Sequence, residues 1–291
     1  MSYDQLWYNG EFRSLEDAKC SLLEHGLHYG TGVFEGIRCY ETSTGPAVFR
    51  LREHLLRMKE GAQTLGLQFD IEEVQRATVE LVSRNKCKSA YVRPLTFFSG
   101  GGLGLDVDNL ETSSMVATLP WKSHLGERAR QHGISMAVST IRRNSSKSLP
   151  PLKLCGGYVN SVLAKKQATR NGFEEALFVD DAGYVVEATG ENIFYVRNGQ
   201  VYAVEHPDAL PGITRSSIMT LSDAKIKRTR LEELLEADEV FVTGTSAEVA
   251  GVNQINDRKF ATGAFTRDLQ TSYQDLVHGR DSSYAHWLTK P

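Results

Sequence analysis

The sequence predicts an α+β chain in two parts. Three observations carry the prediction: Asn-Gly turns set between strand formers, two amphipathic helical segments in the first third, and a second half rich in hairpins. Asn9-Gly10 separates Leu6-Trp7-Tyr8 from Glu11-Phe12; both positions of a two-residue hairpin turn need φ > 0, which this pair tolerates. Leu51, Leu55, Ala62 and Leu65 share one face of a helix over 51–66, and Val74, Ala77, Leu81 and Val82 do so over 71–84. Gly66 and Asn85 stand where such helices stop. Strands are predicted over 89–98, 114–119 and 133–141. The run from Ser139 to Pro151 is polar, basic and proline-ended, which predicts a mobile loop. Val159, Val162, Leu163 and Ala168 mark a third helix, closed by Asn171-Gly172. Strands over 176–180 and 184–187 are joined through Asp181-Ala182-Gly183, and those over 192–196 and 201–204 through Asn198-Gly199. A last strand is predicted over 239–243. The expected division is a small N-terminal domain, 1–121, a connection, 122–132, and a larger C-terminal domain, 133–291.

Composition narrows the function classes. The chain has 291 residues, 41% hydrophobic and 24% charged, with a net charge of −3. That is ordinary for a globular protein and gives no electrostatic case for nucleic acid or an anionic membrane. Cys20, Cys39, Cys87 and Cys155 form no CxxC pair, which argues against disulfides or zinc and for a reducing cytoplasm. His28 and His54 lack metal-ligand spacing, so no metal is expected. No apolar run approaches the ~20 residues of a membrane helix. Met1-Ser2-Tyr3-Asp4 lacks the basic-then-apolar layout of a signal peptide.

The chemistry gathers around one lysine. Lys153 follows Pro150-Pro151-Leu152 and precedes Leu154-Cys155-Gly156-Gly157-Tyr158, a setting that suits an amine beside close-approaching backbone. Lysine amines condense with aldehydes once deprotonated. Downstream, Glu187 ends an apolar strand pattern and leads into Gly190-Glu191-Asn192. A buried acid there could hold a pyridine nitrogen protonated, as pyridoxal phosphate (PLP) requires to act as an electron sink. Gly212-Ile213-Thr214 opens a helical pattern, whose N–H groups and dipole suit a phosphate. Gly244-Thr245-Ser246 follows a strand and could do the same. Arg52 could supply a fixed charge. Each part alone has an ordinary reading: a surface lysine, a strand-end glutamate, a helix cap. Their order and contexts together are uncommon.

The chain resembles the branched-chain amino acid aminotransferases of PLP fold-type IV. The residues that carry the likeness run in order over nearly the whole chain: His28 to Arg38, Phe49 to His54, Tyr91-Val92-Arg93-Pro94, Gly102-Leu103-Gly104, Pro120-Trp121, Lys153 to Tyr158, Glu187 to Asn192, Leu210 to Arg215 and Thr243 to Glu248. The resemblance implies a two-domain fold with a PLP-binding C-terminal pseudo-barrel. It implies that Lys153 carries PLP covalently and then moves the substrate Cα proton. Glu187 would pair with the pyridine nitrogen, and Tyr158 with the phenolic oxygen. Arg52, Gly212, Ile213, Thr214, Gly244 and Thr245 would bind the phosphate, while Glu191 and Asn192 support the ring. Tyr91 and the amides of Ser246 and Ala247 would receive the α-carboxylate. Phe34, Gly36, Tyr158 and Trp121 would wall an apolar pocket. Arg93 and Tyr29 would meet the distal carboxylate of glutamate, and Tyr29 and the Leu103–Leu105 turn would come from a neighbouring subunit. The implied reaction is transamination of L-branched-chain amino acids with 2-oxoglutarate as acceptor, in a homo-oligomer built on a dimer.

Three departures from the family pattern bear on substrate range. His124 stands where a tyrosine is usual in the distal-carboxylate site. The stretch from Ser216 to Glu236 is about five residues short. Leu152 replaces a small residue before the lysine. Alternatives in the same fold type are transamination of an aromatic or unusual amino acid, to which His124 and the shortened stretch point, D-amino acid or amine transamination, and 4-amino-4-deoxychorismate lyase activity; one outside it is a PLP-binding scaffold without turnover. Cys155 reads as a packing residue and Lys165-Lys166 as a solvated helix face.

Overall fold

A computed structural model describes residues 4–120, 129 and 131–291. The chain divides into two units. The first comprises Met1–Trp121, Leu152–Gly157 and Leu276–Pro291; the second comprises Lys122–Pro151 and Tyr158–Asp275. Where the sequence suggested a single passage from one domain to the next, the chain returns to the first unit twice, once with the short segment that carries Lys153.

In the first unit the strands are β1 (Gln5–Tyr8), β2 (Glu11–Ser14), β3 (Gly32–Phe34), β4 (Ile37–Thr42), β5 (Gly45–Phe49), β6 (Ala90–Phe98) and β7 (Thr112–Leu119). With Leu288–Thr289 at one edge they form an antiparallel sheet, ordered from that edge β5-β4-β6-β7-β1-β2, with β3 also on β6. Asn9 and Gly10 turn the first hairpin with φ of 46° and 89°, as a primed turn requires. The helices α1 (His25–Tyr29), α2 (Leu51–Leu65) and α3 (Ile71–Arg84) follow, the last two with the predicted periodicity. Gly66 ends α2 in the left-handed region, and Asp70 caps α3 by accepting from the N–H groups of Glu72 and Glu73. Leu51, Leu55, Val74, Leu81 and Val82 bury against Trp7, Ile37, Val48, Val92 and Val116. Each large side chain so buried stabilises by roughly 1.5–3 kcal/mol.

The second unit holds a mixed sheet of β8 (Ile134–Val138), β9 (Glu175–Val179), β10 (Val185–Ala188), β11 (Asn192–Arg197), β12 (Gln200–Val204), β13 (Lys225–Lys227), β14 (Glu239–Gly244), β15 (Glu248–Ile255) and β16 (Arg258–Lys259). The order is β10-β9-β8-β15-β14-β11-β12-β13, with β16 on β15. Its helices include α4 (Val159–Arg170), α5 (Ile213–Leu221) and α6 (Leu231–Leu235). Strands β8 and β9 are parallel, which demands a crossover, and α4 lies on it. Its buried face is not its most apolar one. Val159, Val162 and Leu163 point outward, whereas Ser161, Ala164 and Ala168 are buried. Small residues let this helix lie close to the sheet and leave its apolar stripe exposed.

Among the described residues, no helix is long and apolar enough to cross a membrane, and no cluster could hold a metal ion.

Candidate active site

Two groups of side chains carry chemistry, one in each unit. In the first, the Lys153 segment is bound to β3. The Phe34 N–H donates to the Lys153 carbonyl at 3.2 Å, and Val33 bridges Leu154. Gly156 donates to the Gly30 carbonyl at 3.0 Å. A Cβ on Gly30, whose φ is +67°, would stand 2.7 Å from the Gly156 Cα, so this crossing requires glycine. The Lys153 Nζ lies 5.0 Å from the centre of the Phe34 ring, and the Arg93 guanidinium 4.7 Å from the same centre. Arg93 donates through Nη2 to the Tyr91 hydroxyl at 2.8 Å, and its Nε is buried with no partner among the described residues. Gly36 is required beside them, because a Cβ there would come within 1.9 Å of that hydroxyl. Cys155 Sγ packs against Gly32, as a small filler would.

The structure corrects Arg52. Its guanidinium is half exposed and paired with Glu72 on α3. It lies two residues from the buried His54, about 200° round the helix. The arginine on the buried face is Arg57. Its Nε and Nη2 donate to Glu35 at 2.7 and 2.9 Å, and His54 Nδ1 bonds the same carboxylate at 2.7 Å. Burial opposes the charge of Glu35, but Arg57 and His54 outweigh it and hold the carboxyl well below the usual range. Burial lowers the pKa of His54, and Glu35 opposes that; the charges of Arg57 and Lys153 lower it further.

In the second unit the acid and the glycine turns converge. Glu187 is buried. Its Oε1 accepts from Arg143 Nε at 2.6 Å and its Oε2 from the Leu210 N–H at 3.0 Å. The Leu210 carbonyl accepts from Asn192 Nδ2 at 2.9 Å, so one residue ties acid and amide together. A Cβ on Gly212 would strike Asn192 Oδ1 at 2.0 Å, and one on Gly244 would press on Gly190 and Glu191. Gly212 caps α5 with no side-chain bond, and Ile213 and Thr214 form the first turn. Asn192 pairs with Thr243 across β11 and β14, and Thr245, Ser246 and Ala247 turn the chain into β15. The Thr243 hydroxyl is buried without a partner among the described residues. Tyr158 ends a 3-10 turn, Cys155–Tyr158, at the start of α4.

Behind Glu187 lies a buried carboxylate cluster. Glu175 is paired with Lys165 at 2.6 Å and accepts from the Thr189 hydroxyl. The pKa of Glu191 is pushed up to about 8 by burial first and by the charge of Glu175 next, with Lys165 opposing and Glu187 adding. Lys165 is therefore an internal counter-ion and not a solvated face residue. Arg143, from the loop expected to be mobile, is the residue that sequence reasoning missed. The signal available was that a buried glutamate needs a cation. Asn160 helps hold that loop, donating to the Arg142 carbonyl at 2.6 Å.

Tyr29 and Leu105 lie exposed on the first unit, where the Tyr29 hydroxyl donates to the Leu103 carbonyl at 2.9 Å. Trp121 and His124 fall outside the described residues. The groups each unit presents fit a phosphorylated pyridine aldehyde: in the first, an amine on a segment bridged to β3; in the second, a fixed acid, a glycine-capped helix N-terminus and a buried hydroxyl in need of a partner.

The amino-transferase class IV family model matches residues 32–255. The branched-chain-amino-acid aminotransferase of Pseudomonas aeruginosa is 39% identical, with 98% of this chain and 96% of that protein covered. The enzyme of that name from Escherichia coli strain K12 is 36% identical over the same shares. The crystal structure of the branched-chain amino acid aminotransferase from Thermobaculum terrenum in its PLP form superposes with a TM-score of 0.91 at 30% identity, covering 99% of this chain and 98% of that one.

Proposed function

This chain belongs to the amino-transferase class IV family, and from that premise we propose that it is a PLP-dependent transaminase of L-leucine, L-isoleucine and L-valine. Its acceptor is 2-oxoglutarate. The observation that carries the reading is the Lys153 amine over Phe34, with Arg93 and Tyr91 linked beside it. When bound, the cofactor supplies an electron sink for the substrate Cα. The chain's own residues do the rest. Lys153 holds the aldehyde and then takes and returns the Cα proton. Glu187, fixed by Arg143 and Leu210, holds the proton on the pyridine nitrogen. Gly212, Ile213, Thr214, Gly244 and Thr245 hold the phosphate, and Tyr158 the phenolic oxygen. Arg57 supplies the fixed cation in place of Arg52, because it is the buried one. Ser246, Ala247 and Tyr91 receive the α-carboxylate. Phe34 and Gly36 wall the side-chain pocket, and Arg93, with Tyr29, meets the distal carboxylate of glutamate.

A homodimer is the smallest working unit in this reading. Tyr29 and Leu105 are exposed, as are Leu22, Leu23 and Leu27, and α4 exposes Val159, Val162 and Leu163. Apolar patches of this kind mark subunit contacts. The free thiols of Cys20, Cys39, Cys87 and Cys155 suit the cytoplasm. Glutamate formation from 2-oxoglutarate and each amino acid in turn tests the assignment. Activity with leucine, isoleucine and valine supports it. Activity confined to D-amino acids or amines would move the chain to another branch of the family.

A further inference from the structure

Glu35 is fully buried between two residues assigned to substrate, Phe34 and Gly36. Its carboxylate makes no contact that recognition of an amino acid would need. It is instead gripped by Arg57 through both Oε atoms and by His54 Nδ1, two residues one helical turn apart on α2. Its own N–H donates to the Pro94 carbonyl at 3.0 Å, next to Arg93. On one side of it, the Phe34 N–H holds the Lys153 carbonyl, and the Phe34 ring lies 5.0 Å from the Lys153 Nζ. On the other, Gly36 meets the Tyr91 hydroxyl. Gly61 of α2 packs against Val33, where a Cβ would come within 2.9 Å. The helix is thus locked to this strap twice, once by packing and once by charge.

We propose that Glu35, held by Arg57 and His54, is a positioning residue: it fixes the Phe34–Gly36 strap and so sets where the Lys153 amine stands. The inference rests on Lys153 being the cofactor lysine. A buried ion pair is a poor device for stability alone, since apolar groups of like volume do as well, but it admits only one geometry. The cluster also balances its charge. Glu35 and Arg57 cancel, and His54, kept neutral by burial, donates Nδ1–H and places no further positive charge beside the amine.

The test uses holoenzyme of the wild type and of Glu35→Gln, His54→Leu and His54→Asn. Two quantities are read: the pH midpoint of the visible band of lysine-bound cofactor, and kcat and KM for L-leucine. A displaced amine should shift the midpoint in Glu35→Gln and His54→Leu by about half a pH unit or more. It should lower kcat roughly 10-fold to 10²-fold, while KM moves less than about threefold. His54→Asn keeps an N–H donor near the Nδ1 position and should recover most of the loss. Unmoved midpoint and kcat in folded Glu35→Gln overturn the positioning role. Should that variant fail to fold, the two His54 variants decide by the same criteria. A wild type with no lysine-bound band overturns the cofactor reading, and this proposal with it. A normal wild-type band with unmoved variants overturns the positioning role alone.

Discussion

Around Lys153 cations outnumber the one buried carboxylate, Glu35, whereas around Glu187 carboxylates outnumber cations. In the first unit Arg93 and Lys153 share the Phe34 ring, while the charge of Arg57 is matched by Glu35. In the second, Glu175, Glu187 and Glu191 are all buried, against Lys165 and Arg143. The lysine side keeps its buried pair balanced. The glutamate side has one carboxylate more than its cations match, and Glu191 meets the shortfall by keeping its proton. Where a counter-ion is present, charge and geometry are fixed together. Where it is absent, protonation adjusts. Glu187, the residue assigned to the pyridine nitrogen, is of the first kind.

The largest effect should come from the lysine itself. Lys153→Ala should lower turnover by roughly 10⁴-fold or more, about 5.5 kcal/mol, with an unchanged far-ultraviolet circular dichroism spectrum. Next, Arg143→Met would strand Glu187 without its cation. Chemical denaturation should show a loss of about 3–5 kcal/mol, and adding Glu187→Gln should restore much of that stability while leaving the enzyme slow. If the double variant is no more stable than the single, the balance described above is not what holds this site. Gly36→Ala, which forces the Tyr91 hydroxyl aside, should cost about 1–3 kcal/mol and raise KM for the amino acid about tenfold.

The last effect is a slope with pH rather than a single loss. The folded-state pKa of Glu191 is raised to about 8 from an ordinary 4.5, so between those values the folded chain holds a proton that the unfolded chain has released. Stability from this group is therefore full below about pH 4.5 and declines as pH rises, by up to about 1.4 kcal/mol per unit, until about pH 8. Glu191→Gln should flatten that decline in melting temperature measured from about pH 5 to about pH 8. An identical slope in the variant would place the proton elsewhere.

Much of this was legible in the sequence. Both Asn-Gly hairpins, α2, α3 and the strands β8 to β12 and β14 follow from local turn chemistry and periodicity, whereas β13, β15 and β16 were not predicted. The converging residues Glu187, Asn192, Gly212 and Gly244 were legible because their glycines and strand-end positions are local signals. What escaped were partners set by three-dimensional contact. Arg143 pairs with Glu187 across 44 positions, and nothing in its loop announces it. Arg52 and Arg57 occupy the same helix, and only its buried face decides between them. The apolar residues of α4 gave the helix but not its buried face, because small residues rather than large ones face the sheet.

The central claim is that Lys153 and its neighbours carry amino transfer from a branched-chain amino acid. It is tested most directly by the absorbance of the purified PLP-loaded protein before and after L-leucine is added with no acceptor. The account predicts that the lysine-bound band gives way to that of the aminated cofactor, with one equivalent of 4-methyl-2-oxopentanoate released. A band that L-leucine leaves unchanged would contradict it.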